Sequence, residues 1–421
     1  MADFRDILIQ KIIENIEVKE GRLSVPNYQI VDRYSTILIS ELLEKEGFQK
    51  KFCKIQYLGY SQLESPVFIP PFQKVFIEMK LEGDGNYEKF KSKVDKEISE
   101  IQEGENLKNY DFLYPIRLKF TTPPKAGNIN GVFFEFKRNN EIASIFSDKK
   151  LSNQLDLFQR NYSTDFSQDS FQYLKITLRA RDLWYAERKA TKLAQFVISV
   201  VSFIENYRRM KTSFPNPAIS DLNIELIIAF CDNKFERLLA NSLQIGKRHH
   251  QLSDEQIECI NVNLEIFKTS HKSVRDIIRD GFISFHSGLN ETRMGYAFLN
   301  FWTAAEILCL KNQNITEKEV IKRLMSPILN KDDITKHELE RLYDLRNKIV
   351  HNAEYELATE FDRNIMKMYV EPFIDFFIDT LSKFPRSKIE KIYRYLPESD
   401  EILNEDKELI DFILSLRENN D

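Results

Sequence analysis

Cysteine is scarce and scattered in this chain of 421 residues: Cys53, Cys231, Cys259 and Cys309 make no CxxC pair and no closely spaced framework. That argues against a disulfide scaffold and a zinc site, and predicts free thiols, buried or partly buried, in a reducing compartment. Long apolar runs are missing as well. No stretch reaches the ~18 apolar residues of a membrane span, and the first residues begin an amphipathic pattern without the apolar core of a signal peptide. A cytoplasmic protein with no membrane partner is expected. Charge of one sign is not in excess: 60 Lys and Arg against 65 Asp and Glu leave a net charge of −5. There is no global nucleic-acid signature, so any RNA site must be local. Walker and GxGxxG loops, acidic pairs with metal-site spacing and repeats of solenoid period are all absent. No metal or cofactor is expected.

What is present is enough apolar matter, 42% hydrophobic and 12% aromatic residues, to bury substantial cores in two or three domains. The expected fold class is α+β, a strand-rich mixed N-terminal half followed by an all-α helix bundle. The expected units are a sensor or scaffold domain at 1–165, a mixed connecting unit at 166–252 and a helical domain at 253–421. In the first unit an amphipathic stretch at 30–46 precedes β-branched or aromatic runs at 52–60, 75–81, 112–120 and 131–136, which read as strands. Pro66, Pro70, Pro71, Pro123 and Pro124 punctuate them with Gly127 and Gly131. Residues 82–109 read as a hairpin tip leading to a charged helix, and 144–170, rich in Asn, Asp, Gln and Ser, as a boundary loop. The second unit reads as a strand at 171–178, a helix at 181–207, a strand at 222–230, a short helix at 233–241 and a polar joint at 246–251.

From Ser253 onward the period becomes helical. Ser253 with Gln256, Thr316 with Glu319, and Thr335 with Glu338 have capping-box spacing, which predicts helices at 254–269, 272–286, 290–312, 317–328, 335–351 and 360–384. The last carries Phe361, Ile365, Met368, Tyr369, Phe373, Phe376, Phe377 and Leu381. This surface is broader than one core face needs, so it serves either packing or self-association.

The chemistry concentrates in Arg346-Asn347-Lys348-Ile349-Val350-His351. Leu339, Leu342, Leu345, Ile349 and Val350 draw the apolar arc of this helix, and Arg346 projects from inside it, where a charge needs a partner or a task. Asn347 and His351, four apart, share a face. His351 falls at the helix C-terminus, whose partial negative charge favours the imidazolium, and Asn352 is the expected left-handed stop. An arginine fork suited to phosphate beside a histidine that can give or take a proton suggests phosphodiester cleavage. Glu306, surrounded by Trp302, Ala305, Ile307 and Leu308, is costly unless paired, and Arg346 is the candidate partner; its role is either that pairing or a direct share in catalysis. Trp302 reads as core and His286 as a satisfied, half-buried histidine. His249 and His250 read as neither a metal pair nor part of a triad.

The run Tyr296-Ala297-Phe298-Leu299-Asn300-Phe301-Trp302-Thr303-Ala304-Ala305-Glu306-Ile307-Leu308, followed by Leu342-Tyr343-Asp344-Leu345-Arg346-Asn347-Lys348-Ile349-Val350-His351-Asn352, resembles the HEPN superfamily of α-helical ribonucleases, and within it the Apea-like HEPN domains. The resemblance covers about the last third of the chain. It implies Arg346 and His351 as catalytic residues with Asn347, supported by Glu306 and Lys348, in a homodimer built through the C-terminal helices. It further implies RNA cleavage, tRNA being one candidate substrate, in abortive defence against phage. The N-terminal half would restrain the nuclease until a phage-derived trigger arrives. Local phosphate tracking could fall to Arg208, Arg209 and Lys211 or to Lys247 and Arg248, against the plainer reading of solvated surface. Two other readings stay open: a non-catalytic HEPN interaction or ligand-binding module, and a nucleotide-binding or nucleotide-transfer activity.

Overall fold

In the computed structural model, which describes residues 3–19, 21–54, 69–103, 107–162, 171–208, 218–220, 222–224, 226–240, 250–311, 315–325, 333–396, 398 and 400–418, the first hundred residues are chiefly helical. Helix α1 (Phe4–Glu14) leads through a small hairpin, β1 (Glu17–Lys19) and β2 (Arg22–Ser24), to α2 (Tyr28–Glu44), α3 (Phe48–Lys54), α4 (Pro70–Glu82) and α5 (Tyr87–Glu103). Two of the expected strands are therefore helices. Phe72, Val75, Phe76 and Met79 recur at i, i+3, i+4 and i+7, and on α4 they form one buried stripe. Phe48 and Phe52 do the same on α3; the rest of that expected strand, 55–60, lies outside the described residues. The β-branched and aromatic content of these runs suggested strands, but packing on a neighbouring helix decides otherwise: Phe76 and Phe90 of α5 sit with ring centroids 5.1 Å apart. The residues after 82 do turn into a charged helix, through Gly83 in the left-handed region at φ 67°.

Beyond 107 the chain builds a sheet. The strands are β3 (Lys108–Ile116), β4 (Leu118–Lys119), β5 (Gly127–Ile129) and β6 (Val132–Arg138), then, after α6 (Asn139–Ile142) and α7 (Lys149–Tyr162), β7 (Gln172–Ala180). Helix α8 (Leu183–Asn206) precedes β8 (Leu226–Cys231), β9 (Lys234–Ala240) and the two-residue β10 (His250–Gln251), which runs parallel to β4. Six strands pair in the order β5-β6-β7-β3-β8-β9, antiparallel throughout. The alternation of side chains splits each central strand between two cores. Phe112, Tyr114, Leu174, Ile176 and Ala229 face α8 and the helices beyond it, whereas Leu113, Tyr173, Ile228 and Phe230 face α7. The segment 144–170 is accordingly not one loop. Leu151, Leu155 and Phe158, spaced as one helical stripe, bury α7 against the sheet, and 163–170 lie outside the described residues. Residues 234–240 are likewise a strand and not a short helix. Asp232 and Asn233, at φ 48° and 64°, form the two-residue turn that returns β9 onto β8.

The helical part follows the predicted order closely: α9 (Asp254–Thr269), α10 (Arg275–Asn290), α11 (Met294–Leu308), α12 (Glu317–Met325), α13 (Asp333–Asn352), α14 (Glu360–Phe376), α15 (Arg386–Tyr395) and α16 (Asp400–Glu418). The Ser253–Gln256 capping box closes in both directions. Thr335, by contrast, lies inside α13, and Glu338 accepts a hydrogen bond from the Tyr369 hydroxyl of α14. One contiguous core runs from the sheet through α8, α10 and α11 to α14. Much of the apolar surface of the expected 360–384 helix goes into this core: Phe373, Phe377 and Leu381 are fully buried, while Phe361 and Met368 stay exposed at 64% and 46%. Cys231 and Cys309 are buried as expected, but Cys53 and Cys259 are exposed. Among the described residues no helix is long and apolar enough to cross a membrane.

Candidate functional site

Helix α11 is apolar on almost every side because it lies between α10 and α14; Ala297, Phe298, Phe301, Trp302, Ala304, Ala305 and Leu308 are all buried. Glu306 sits at the edge of that surface, its side chain 18% exposed. The helix stops just beyond it. Leu310 adopts the left-handed region at φ 58°, and the Leu310 and Lys311 amides donate to the carbonyls of Ile307 and Glu306 at 3.0 and 2.9 Å. This reversal folds Lys311 back over its own helix end, in the manner of a Schellman stop. Lys311 Nζ then lies 2.7 Å from Glu306 Oε1, the same oxygen that accepts the Trp302 indole N–H at 2.8 Å.

Helix α13 brings the third donor. Leu339, Leu342 and Ile349 bury its apolar face, with Leu345 partly buried, whereas Val350 is 47% exposed and falls off the expected arc. Arg346, 15% exposed, places Nη2 3.4 Å from Glu306 Oε1, and its Nη1 donates to Asn347 Oδ1 at 3.2 Å. Tyr343 adds a ring 6.3 Å from that of Trp302. One carboxylate is thus shared by two cations and an indole, so no buried ion of the cluster is left without a partner. Sequence reasoning placed Glu306 with Arg346 but missed Lys311, because its approach depends on the left-handed residue that ends α11.

His351 occupies the last turn of α13 and is exposed, as are Lys348 and Asn352. The left-handed stop is Ala353, at φ 59°, and not Asn352, which remains helical and donates to Glu354 Oε1. A hard contact then fixes the following turn. Tyr355 stacks on Tyr296 with ring centroids 4.3 Å apart and an interplanar angle of 7°, and Gly295 passes so near that a Cβ there would meet the Tyr355 carbonyl oxygen at 2.3 Å. The Arg346–His351 segment is therefore held to α11 on both sides, through Glu306 before it and Tyr355 after it. No hydrogen bond joins Asn347 to His351 among the described residues; the Asn347 carbonyl is turned to Arg346.

The other candidates fare differently. Arg208 is described, but as a structural joint: its backbone N–H donates to the Glu371 carboxylate of α14, and its guanidinium lies 5.4 Å from the Tyr207 ring. Burial pushes the Glu371 carboxyl up, with the nearby Lys367 ammonium opposing. Arg209, Lys211, Lys247, Arg248 and His249 lie outside the described residues. His250 is buried, Nδ1 3.1 Å from Glu205. His286 is partly buried beside Asn290, whose Nδ2 lies 3.0 Å from the ring Nε2. Among the described residues no group of three or more His, Cys, Asp or Glu is placed to hold a metal ion. In comparisons with known proteins, no family model, no curated protein and no solved structure matches the chain.

Proposed function

We propose that the chain is a metal-independent endoribonuclease of the HEPN type, acting in the cytoplasm as a homodimer in defence against phage. The observation that carries this reading is Arg346, anchored by Glu306 and Asn347, five residues before an exposed His351 at the end of α13. In RNA the 2′-hydroxyl is an internal nucleophile. Its oxygen attacks phosphorus, the 5′-oxygen leaves, and a 2′,3′-cyclic phosphate and a 5′-hydroxyl result. His351 transfers the proton, and Arg346, with Lys311 adding positive charge, opposes the charge that builds on the non-bridging oxygens. One imidazole does not reach both the entering and the leaving oxygen of an in-line displacement, so a second copy supplies the other. The exposed Phe361 and Met368, seven residues apart on α14 with the partly buried Ile365 between them, offer a face for that copy.

A non-catalytic module is favoured by one fact: Glu306, Trp302, Lys311, Arg346 and Asn347 satisfy one another and tie α11 to α13. Purified protein incubated with total RNA and with tRNA in EDTA separates the readings. Cleavage that persists in chelator, leaves cyclic phosphate ends and is lost in His351→Ala supports the nuclease. No cleavage of either RNA, or equal cleavage by a folded His351→Ala variant, rejects it.

A further inference from the structure

A cavity of about 350 Å³ opens where α3, the β5–β6 hairpin, α8 and the α9–α10 region meet, lined by none of the residues of the Arg346 cluster. Its two ends differ in chemistry. The inner wall is apolar: Phe196 of α8 and Phe267 of α9, with ring centroids 4.2 Å apart, line it together with Leu193 and Ile129. The rim carries Arg188, Lys189 and Lys192, all exposed on consecutive turns of α8. Arg188 and Lys192 are four apart and so share one face of the helix, where like charges oppose each other.

Among the described residues Arg188 and Lys192 make no ion pair, and Lys189 meets only the Tyr185 ring, at 5.5 Å. The fourth cation on the cavity, Arg279, is already neutralised by Asp276 and by Asp280 at 2.9 Å. A chain of net charge −5 thus sets around one concave mouth, above aromatic walls, three cations that have no ion pair among the described residues. Low-dielectric walls focus the field of such a cluster on whatever enters. The volume sits at the small end of ligand pockets, about 300–1,000 Å³. That is room for one nucleotide-sized molecule and not for a length of strand.

We propose that this cavity binds a phosphorylated nucleoside, its phosphates on Arg188, Lys189 and Lys192 and its base against the Phe196 and Phe267 wall. Binding here requires nothing of Arg346 or His351. The test is calorimetric titration of the full chain at low salt with ADP, GDP and UDP, and with adenosine and pyrophosphate as half-ligands. At least one nucleoside diphosphate should bind saturably at one site per chain, with adenosine and pyrophosphate at least tenfold weaker. The affinity should fall at least tenfold in Arg188→Glu/Lys192→Glu and measurably in the neutral Arg188→Gln/Lys192→Gln. Both pairs are exposed, so the melting temperature should stay near wild type; Lys407→Glu, at an exposed cation that does not line the cavity, should bind as wild type does. Absence of saturable binding by all three diphosphates, or unchanged affinity in a folded charge-reversed variant, overturns the proposal. So does a cavity that binds single-stranded RNA more tightly as the strand lengthens while ignoring the diphosphates, which would mark a polynucleotide track.

Discussion

Glu306 Oε1 lies 3.4 Å from Arg346 Nη2 across 40 residues of sequence, and the same oxygen accepts from Lys311 and Trp302. The carboxylate is the shared acceptor and Arg346 only one of three donors, so the two side chains are not equivalent in stability. Arg346→Ala leaves Glu306 with two partners and should cost about 1–2 kcal/mol, below the range for breaking a fully buried pair. Glu306→Ala takes the shared acceptor away from Arg346, Lys311 and a buried indole N–H at once and should cost more, about 2–4 kcal/mol. Urea unfolding of the two variants measures the difference; equal losses would show that Lys311 and Trp302 contribute nothing to the cluster.

His351 behaves oppositely if it is the proton-transfer group. Its side chain is exposed, so His351→Ala should change stability by no more than about 0.5 kcal/mol. RNA cleavage should nevertheless fall by about 10²–10⁴-fold, the usual share of a general acid or base. A thermal melt and a cleavage time course on one preparation check both halves, and a loss of activity that merely tracks a loss of fold would remove His351 from the mechanism.

Gly295→Ala tests the other fixing point. The added methyl carbon would stand 2.3 Å from the Tyr355 carbonyl oxygen, a backbone atom that no side-chain rotation can move. The expected cost is about 1–3 kcal/mol. Cleavage should also drop in material that is still folded, because the turn that follows His351 must shift. Wild-type activity at the reduced stability would mean that this turn does not position the histidine.

Stability should fall with acid through His286. Burial pushes its imidazole down to about 4 from the ordinary 6.5. Above pH 6.5 the ring is neutral in both folded and unfolded chains and carries no penalty. As pH drops from 6.5 toward 4 the unfolded chain takes up a proton that the folded chain refuses, so stability declines by up to about 1.4 kcal/mol per pH unit, then levels off. His286→Gln should flatten this window in melting curves taken from pH 8 to pH 4. A variant with the wild-type slope would assign the acid sensitivity to other groups.

The shared site predicts a dimer that charge on α14 disrupts. Phe361→Glu and Met368→Glu alter exposed positions, so each should leave the fold intact, shift sedimentation toward monomer and reduce cleavage together. Mixing His351→Ala with Arg346→Ala subunits should restore part of the activity that each lacks alone. Full cleavage by a strictly monomeric protein at working concentration would sink the composite site.

Legibility in the sequence followed the range of the forces involved. The bundle was readable because helix period, capping boxes and stop signals are local, and Ser253 with Gln256 marks the start of α9 as written. The α+β class was readable for the same reason, as was the Glu306–Arg346 pairing, since a charge inside an apolar arc has few affordable partners. The first hundred residues were misread where a strand-like composition overlay a helical spacing, as at Phe72, Val75, Phe76 and Met79. At 234–240 a strand replaces the expected short helix because Asp232 and Asn233, both left-handed, supply the hairpin turn. What only the tertiary structure decided is contact between distant segments: Lys311 folded onto Glu306 by a left-handed leucine, Gly295 beneath Tyr355, and the Arg188 rim set over Phe267. Such contacts are fixed by how whole helices and sheets exclude water from one another, and no window of sequence carries that information.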